Sequence, residues 1–233
     1  MNKTATKIKK GDVVEVLYEG YIANNMELFD TNIKEVAEKY KKDSERISYE
    51  PITLIVGEGM VIKGLDKALE GKELNREYEV MIAPEDGFGK YDPKKIRIYP
   101  ISAFTKQRIN PRPGMIITFE NNIEAKILSV SGGRVKVDFN HPLAGKELYY
   151  RFKVIKKITN PKEKFIGVFK NFVNIKISKE DVDFDEKSKV LKISKKYEGL
   201  KSFIKEFINK FFKNEIKDVE FINMEKRTSK NKK

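Results

Sequence analysis

The side chains that could carry acid–base chemistry at defined turns of this 233-residue chain are Asp30, Glu85, Asp86 and the single histidine, His141. Asp30 with Glu85 or Asp86 would make a carboxylate pair, yet neither pairing has a diagnostic spacing, and Glu85 and Asp86 read as turn residues. One histidine rules out a multi-histidine metal site, and the absence of cysteine rules out thiolate sites and disulfides. A strand-to-helix joint carrying Gly57, Gly59 and Gly64 is the place to look for phosphate binding. A P-loop needs Lys and Ser/Thr after its last glycine, but Leu65 and Asp66 follow Gly64, and the dinucleotide fingerprint breaks at Val61 and Ile62. Met60, Val61 and Ile62 make an apolar pocket floor instead.

The elements that must carry these residues follow from periodicity. After Gly11 and Asp12, Val14, Val16 and Tyr18 alternate with Val13, Glu15 and Leu17, apolar on both faces as in a central strand. Asn24-Asn25 turns the chain and residues 27–30 return, a hairpin that places Tyr18, Phe29 and Asp30 near one another. Residues 32–49 interrupt the sheet; Asn32 with Glu35 three residues on predicts a capping box, and Val36, Ala37 and Tyr40 a short surface helix. Residues 52–56 read as a strand. Ile62, Leu65, Ala68 and Leu69 share one face of the helix that follows, closed by Gly71. Tyr78, Val80 and Ile82 mark the next strand, which Pro84-Glu85-Asp86-Gly87 breaks.

Beyond that break, strands over 115–119, 123–130 and 134–139 are separated by Asn121-Asn122 and Ser131-Gly132-Gly133. Leu148, Tyr150, Phe152 and Val154 alternate in a closing strand. Asn160-Pro161-Lys162-Glu163 starts a helix, with Asn as N-cap and Pro at the first helical position. Its Phe165, Val168, Phe169 and Phe172 lie on one side. Strands are predicted over 173–177, 190–193 and 216–224, around an amphipathic helix bearing Leu200, Phe203, Ile204, Phe207, Ile208, Phe211 and Phe212. Residues 227–233 read as a basic, disordered tail.

Together, Val56-Gly57-Glu58-Gly59-Met60-Val61-Ile62-Lys63-Gly64-Leu65 resembles the pocket-helix motif of FKBP-type peptidyl-prolyl isomerases. Tyr18 in Val16-Leu17-Tyr18-Glu19-Gly20, then Leu28-Phe29-Asp30-Thr31 and Pro84-Glu85-Asp86-Gly87-Phe88-Gly89, match its other blocks in order. Asn140-His141-Pro142-Leu143-Ala144-Gly145-Lys146 looks like the SlyD-type branch. The resemblance covers residues 7–157. It implies an α+β fold in which an antiparallel half-barrel sheet wraps on a short helix (1–89 and 140–157), interrupted by a small β insert-in-flap domain (90–139). A C-terminal α+β domain (158–233), as in the long archaeal-like type, lies beyond it.

The activity implied is prolyl isomerisation together with folding-chaperone action on unfolded or nascent polypeptides, without a cofactor or metal. The catalytic set implied is Tyr18, Phe29, Asp30, Ile62, Phe88 and Tyr150, Ile62 through its backbone N–H. Ile52, Val61, Leu65, Tyr91, His141 and Leu143 would bind substrate. Leu65 stands where many members have Trp, and Phe88 where Tyr is common, with Tyr91 nearby to replace the lost hydroxyl. Of the insert's Ile101, Phe104, Ile109, Met115 and Ile116, some must build the module's own small core and the rest would offer an apolar surface to clients, Met being adaptable. SlyD-like members often carry a His-rich metal-binding tail; Lys and Arg occupy this one.

The net charge of +13 is uneven: from Lys156 onward 22 Lys/Arg stand against 12 Asp/Glu, a net +10. That basic segment supports a rival reading, a non-catalytic RNA- or ribosome-associated binding protein. The phenylalanine-rich helix faces, in a segment below 80 residues, predict a homodimer through the C-terminal domain. No apolar run approaches the roughly 20 residues of a membrane span, and no apolar signal core opens the chain, so a cytoplasmic protein without membrane association is expected.

Overall fold

The computed structural model describes residues 7–42, 49–119, 122–173, 175 and 177–224. The tail at 227–233 lies outside the described residues, as do residues 43–48 of the segment after Asn32. In chain order the elements are β1 (Val13–Ile22), β2 (Glu27–Thr31), α1 (Lys34–Lys39), β3 (Ile52–Ile55), α2 (Lys63–Leu69) and β4 (Glu77–Ile82). Next come β5 (Ile96–Pro100), α3 (Ser102–Thr105), β6 (Ile116–Phe119), β7 (Ile123–Ser131), β8 (Arg134–Asp138) and β9 (Leu148–Ile158). The chain ends with α4 (Pro161–Val173), β10 (Val182–Asp185), β11 (Val190–Ser194), α5 (Lys201–Phe211) and β12 (Asp218–Ile222). The mixture is α+β, its sheets mainly antiparallel, with one parallel pair, β11 with β12. No helix among the described residues is long and apolar enough to cross a membrane.

The main sheet runs β2-β1-β9-β4, with β3 pairing antiparallel to the first half of β1, Val13 opposite Ile55 and Val16 opposite Ile52. Val13 and Val14 are both buried, so both faces of this strand are covered, as its continuous apolar run requires. α2 buries Leu65 and Leu69, and Gly71 closes it at φ 77°, a left-handed value that glycine adopts without a Cβ clash. Ile62 is its N-cap rather than a helical residue.

Two compact units make up the chain: Met1–Tyr21, Leu28–Val80 and Tyr150–Lys233 form the first, Ile22–Glu27 and Met81–Tyr149 the second. The sequence suggests a separate domain from residue 158 onward. In the structure that segment shares one core with the isomerase-like sheet: Val13, Ile55 and Ile158 pack with Phe165, Phe169, Leu191, Ile204, Phe207 and Phe212. Asn160 Oδ1 accepts the Glu163 N–H at 3.1 Å and starts α4. β10 pairs antiparallel with β11, and β11 pairs parallel with β12, which requires the crossover that α5 makes. The faces of α4 and α5 expected to seek a second copy are largely covered by the chain itself. Phe172 and Phe203 remain exposed, at 52% and 39%.

Of the strand expected over 173–177, residues 174 and 176 lie outside the described residues; Val173 is the last residue of α4, and Ile175 and Ile177 pack on the core outside the described strands. β10 lies instead inside the acidic stretch after Lys179. The predicted capping box at Asn32 is absent as well: the N-cap of α1 is Ile33, with no side-chain bond to it.

In the second unit the sheet order is β5-β8-β7-β6, all antiparallel, with an irregularity in β7 between Ile127 and Ser129. Its core is Phe104, Ile117, Ala125, Ile127, Val135 and Val137. Phe104 is therefore structural rather than surface, and Ile101 and Ile109 pack beside it. β5 and α3 escape the periodicity because β5 is a short edge strand ending in Pro100, a residue only an edge tolerates.

Candidate active site

Tyr18 lies on β1, and Phe29 and Asp30 lie opposite on β2. The hairpin holds Tyr18 by both ends of its peptide: its N–H donates to Asn32 Oδ1 at 2.8 Å, and its carbonyl accepts the Thr31 hydroxyl at 2.8 Å. The Asn32 amide, buried within the sheet, also donates to the Val16 and Glu50 carbonyls at 2.8 and 3.2 Å. It spans the place where β1 exchanges β2 for β3 as its neighbour, so one side chain completes hydrogen bonding that no strand reaches.

Above this backbone stands an aromatic wall. The Tyr150 ring, from β9, lies 6.0 Å from Tyr18 and 5.8 Å edge-on from Phe29. The Tyr18 hydroxyl donates to Asp30 Oδ2 at 2.9 Å. Burial, then the Asp30 charge and this hydrogen bond, push the Tyr18 phenol well above its usual range; burial and Asp30 do the same for Tyr150. Both phenols stay protonated and the wall stays uncharged. Gly20 lies beneath it: a Cβ there would stand 2.9 Å from Phe29 Cζ and 3.1 Å from two Tyr150 ring atoms. A recess of about 60 Å³ opens beside Phe29, Asp30 and Thr31, bordered by Ala37 of α1, so the inserted helix flanks the site.

Between β3 and α2 the glycine turn is held by Asp66, whose carboxylate accepts the N–H groups of Gly57 at 2.7 Å and Gly59 at 2.9 Å. Gly57 and Gly59 have φ of 84° and 67°, which a side chain would strain. This turn presents Val61 and Ile62, both half-buried, ahead of the buried Leu65; Ile52 on β3 is half-buried too. As N-cap, Ile62 accepts the Asp66 N–H at 3.0 Å, while its own N–H lies outside the helical ladder.

The remaining candidates lie in the second unit. Phe88 stacks on His141 with centroids 4.4 Å apart and planes 3° from parallel. His141 Nδ1 accepts the Leu143 N–H at 3.1 Å, and burial lowers its pKa below the usual value. Tyr91 is exposed, and its hydroxyl donates to Asp138 at 2.9 Å, so it is engaged rather than free to stand in for a missing tyrosine hydroxyl. Burial alone would raise the Asp138 carboxyl, but the Asn140 N–H and amide with Tyr91 outweigh it and hold it low. Glu85 forms an ion pair with Lys90 at 2.8 Å, a turn contact rather than half of an acid–base pair.

A family model described as FKBP-type peptidyl-prolyl cis-trans isomerase matches residues 4–105, and one described as FKBP26, IF domain, matches 97–143. The short-type peptidyl-prolyl cis-trans isomerase of Methanocaldococcus jannaschii is 42% identical over 147 residues, 63% of this chain and 92% of that protein. The chain belongs to the FKBP-type peptidyl-prolyl cis-trans isomerases. Two further relatives are SlyD proteins. That of Helicobacter pylori is 36% identical over 52% of this chain and 68% of its own length; that of Haemophilus influenzae is 34% identical over 46% and 57%.

As an FKBP-type isomerase of the SlyD-like kind, the chain is an enzyme, which sets aside the non-catalytic rival. Tyr150 meets Tyr18 and Phe29, and Tyr18 meets Asp30, while Phe88, His141 and Leu143 form a second contact group. Three positioning roles escape sequence reasoning: Gly20 and Asn32 behind the first group, and Asp66 at the glycine turn. Gly20 sits inside the matched block Val16-Leu17-Tyr18-Glu19-Gly20, and Asn32 reads as a helix cap instead.

Proposed function

We propose that this isomerase acts on X-Pro bonds of unfolded or nascent polypeptides through an apolar pocket that requires no cofactor, and holds its clients as a chaperone. The peptide C–N bond resists rotation by about 18–20 kcal/mol because of resonance, and prolyl bonds populate both isomers. In the twisted transition state conjugation is lost. A pocket that fits the twisted form better than either planar isomer suffices, with no nucleophile or proton relay. Tyr18, Phe29 and Tyr150 would wall the proline ring, with Ile52, Val61 and Leu65 completing the socket. The Ile62 N–H would donate to a substrate carbonyl, Asp30 would orient polar groups at the rim, and Phe88, Tyr91, His141 and Leu143 would contact substrate.

The observation that carries this reading is the uncharged aromatic wall at Tyr18, Phe29 and Tyr150 with a single carboxylate at its edge. For client holding, the support is the exposure of Ile98 and Ile116, 64% and 61%, on the two edge strands of the insert's sheet, with Met115 and Ile123 also exposed. Scattered hydrophobes need no explanation, but apolar edge strands do.

Isomerisation of a short proline peptide tests the pocket. Tyr18→Ala, Phe29→Ala and Asp30→Ala should each lower kcat/KM by about 10-fold or more, as loss of positioning does. Thermal melts separate pocket damage from unfolding; folded variants of all three with wild-type rates would overturn the assignment. A chain with residues 92–139 replaced by a short flap should keep its peptide rate and lose rate on an unfolded protein, because tethering raises the local concentration of prolines. Equal losses on both substrates would refute the holding role.

A further inference from the structure

The loop from Gly57 to Ile62 is soft by composition, with two glycines at positive φ, yet it carries the pocket floor. Asp66 holds its glycine end. Its middle is held differently. Met60 does not join Val61 and Ile62 in facing a binding surface alone: it packs against the core cluster that contains Phe165, Phe169, Phe207 and Phe212, and its Sδ accepts the Ile55 N–H at 3.4 Å. Ile55 belongs to the same cluster.

The strand leading into that loop is gripped by α4. β3 pairs with β1 along one edge, and α4 packs on β3 at close range. Gly167 permits the approach, since a Cβ there would meet Thr53 Cγ2 at 2.7 Å and its Oγ1 at 2.9 Å. Asn171 Nδ2 donates to the Thr53 carbonyl at 3.0 Å. Lys170 also meets Glu50, but that pair is solvent-exposed and contributes little. We propose that the C-terminal segment is a positioning element of the isomerase itself: α4 and the core behind Met60 hold β3 and the Gly57–Ile62 loop, and so fix Val61 and Ile62.

This rests on the assignment of Val61 and Ile62 to the prolyl pocket, and predicts that distant core variants change catalysis on a peptide too small to need client holding. The full chain would be assayed as Met60→Ala, Met60→Leu, Gly167→Ala and Gly167→Ala with Thr53→Ala. kcat and KM are measured separately, well below each variant's melting temperature, and the Ile62 amide is followed by NMR. Met60→Ala should lower kcat/KM about 3- to 10-fold, the range expected of a sub-ångström misplacement, and shift the Ile62 amide. Met60→Leu should restore both, because volume-conserving swaps keep packing. Gly167→Ala should act in the same direction, and Thr53→Ala should rescue it by removing the two nearest atoms, a coupling that independent sites do not show.

A merely structural role would lower melting temperatures while leaving kcat/KM and the Ile62 amide unchanged. That result for both Met60→Ala and Gly167→Ala, with Val61→Ala impaired, overturns the positioning role and leaves the pocket standing. If Val61→Ala, which shortens a side chain assigned to the socket, also keeps the wild-type rate, the pocket assignment falls and the inference falls with it.

Discussion

Gly20→Ala isolates the aromatic wall from the rest of the isomerase. The new Cβ would sit 2.9 Å from Phe29 Cζ and 3.1 Å from Tyr150 Cε1 and Cζ. Carbon pairs rest at about 3.5–4.0 Å, so the rings must retreat by about 0.5–1 Å. The φ of Gly20 lies outside the left-handed region, so alanine strains no backbone there, and it regains about 0.5–1 kcal/mol that glycine costs within a strand. Against this stands an overpacking cost of about 1–3 kcal/mol if the rings cannot move. Tyr150 is buried and fixed, whereas Phe29 is half-buried and can swing outward. The expected outcome is a stability loss of about 1 kcal/mol or less, with kcat/KM on a short proline peptide down about 10-fold or more because the wall is displaced. Adding Phe29→Leu removes the Cζ atom: it should restore the melting temperature without restoring the rate. A folded Gly20→Ala protein with wild-type kcat/KM would show that the Tyr18–Phe29–Tyr150 wall does not contact the reacting proline.

Asn32→Ala removes the bonds to the Tyr18 N–H and to the Val16 and Glu50 carbonyls, and should cost about 2–4 kcal/mol in a denaturant titration, since losing a buried hydrogen-bond partner costs about 1–3 kcal/mol. Asn32→Asp keeps the acceptor but loses both donated bonds, so it should recover only part of that loss. His141 has a folded pKa held below 6.5 by burial, so the unfolded chain binds its proton more readily. Its contribution to stability is complete above about pH 6.5 and declines as pH falls toward the folded value; His141→Phe should flatten the melting-temperature change measured from about pH 7.5 to about pH 5.5.

Much of the fold was legible because apolar periodicity forces it. The alternation at Tyr78, Val80 and Ile82 and at Leu148, Tyr150, Phe152 and Val154 leaves few options once each strand must bury one face. The misreadings share one cause. Ile175 and Ile177 are β-branched, alternate, and pack on the core, yet neither lies in a described strand. β10 reads Val182-Asp-Phe-Asp185, too acidic to advertise itself, but Val182 is buried and its partner Ile193 is too. Burial is written in residue type, whereas pairing depends on which backbone arrives alongside, a tertiary fact that periodicity does not contain. The same limit explains why the C-terminal segment read as an appended domain. The Val13 and Ile55 side chains that join its core belong, in sequence, to another element's pattern.

The candidate site divides along the same line, and the division follows from its chemistry. Rotation about a prolyl bond calls for shape rather than charge, so the residues that would meet substrate are aromatic and aliphatic and can be picked out by type. The polar residues work one layer behind, on backbone: Asn32 on the Tyr18, Val16 and Glu50 peptides, Asp66 on the Gly57 and Gly59 N–H groups. Gly20 contributes the absence of a Cβ, which no residue pattern displays as a contact. An aspartate or asparagine in a strand-rich sequence suggests a turn or a catalytic acid, and here it is neither. A socket that worked by shape would take its precision from satisfied backbone groups and from packing behind the floor, which is where Asn32, Asp66 and Met60 stand.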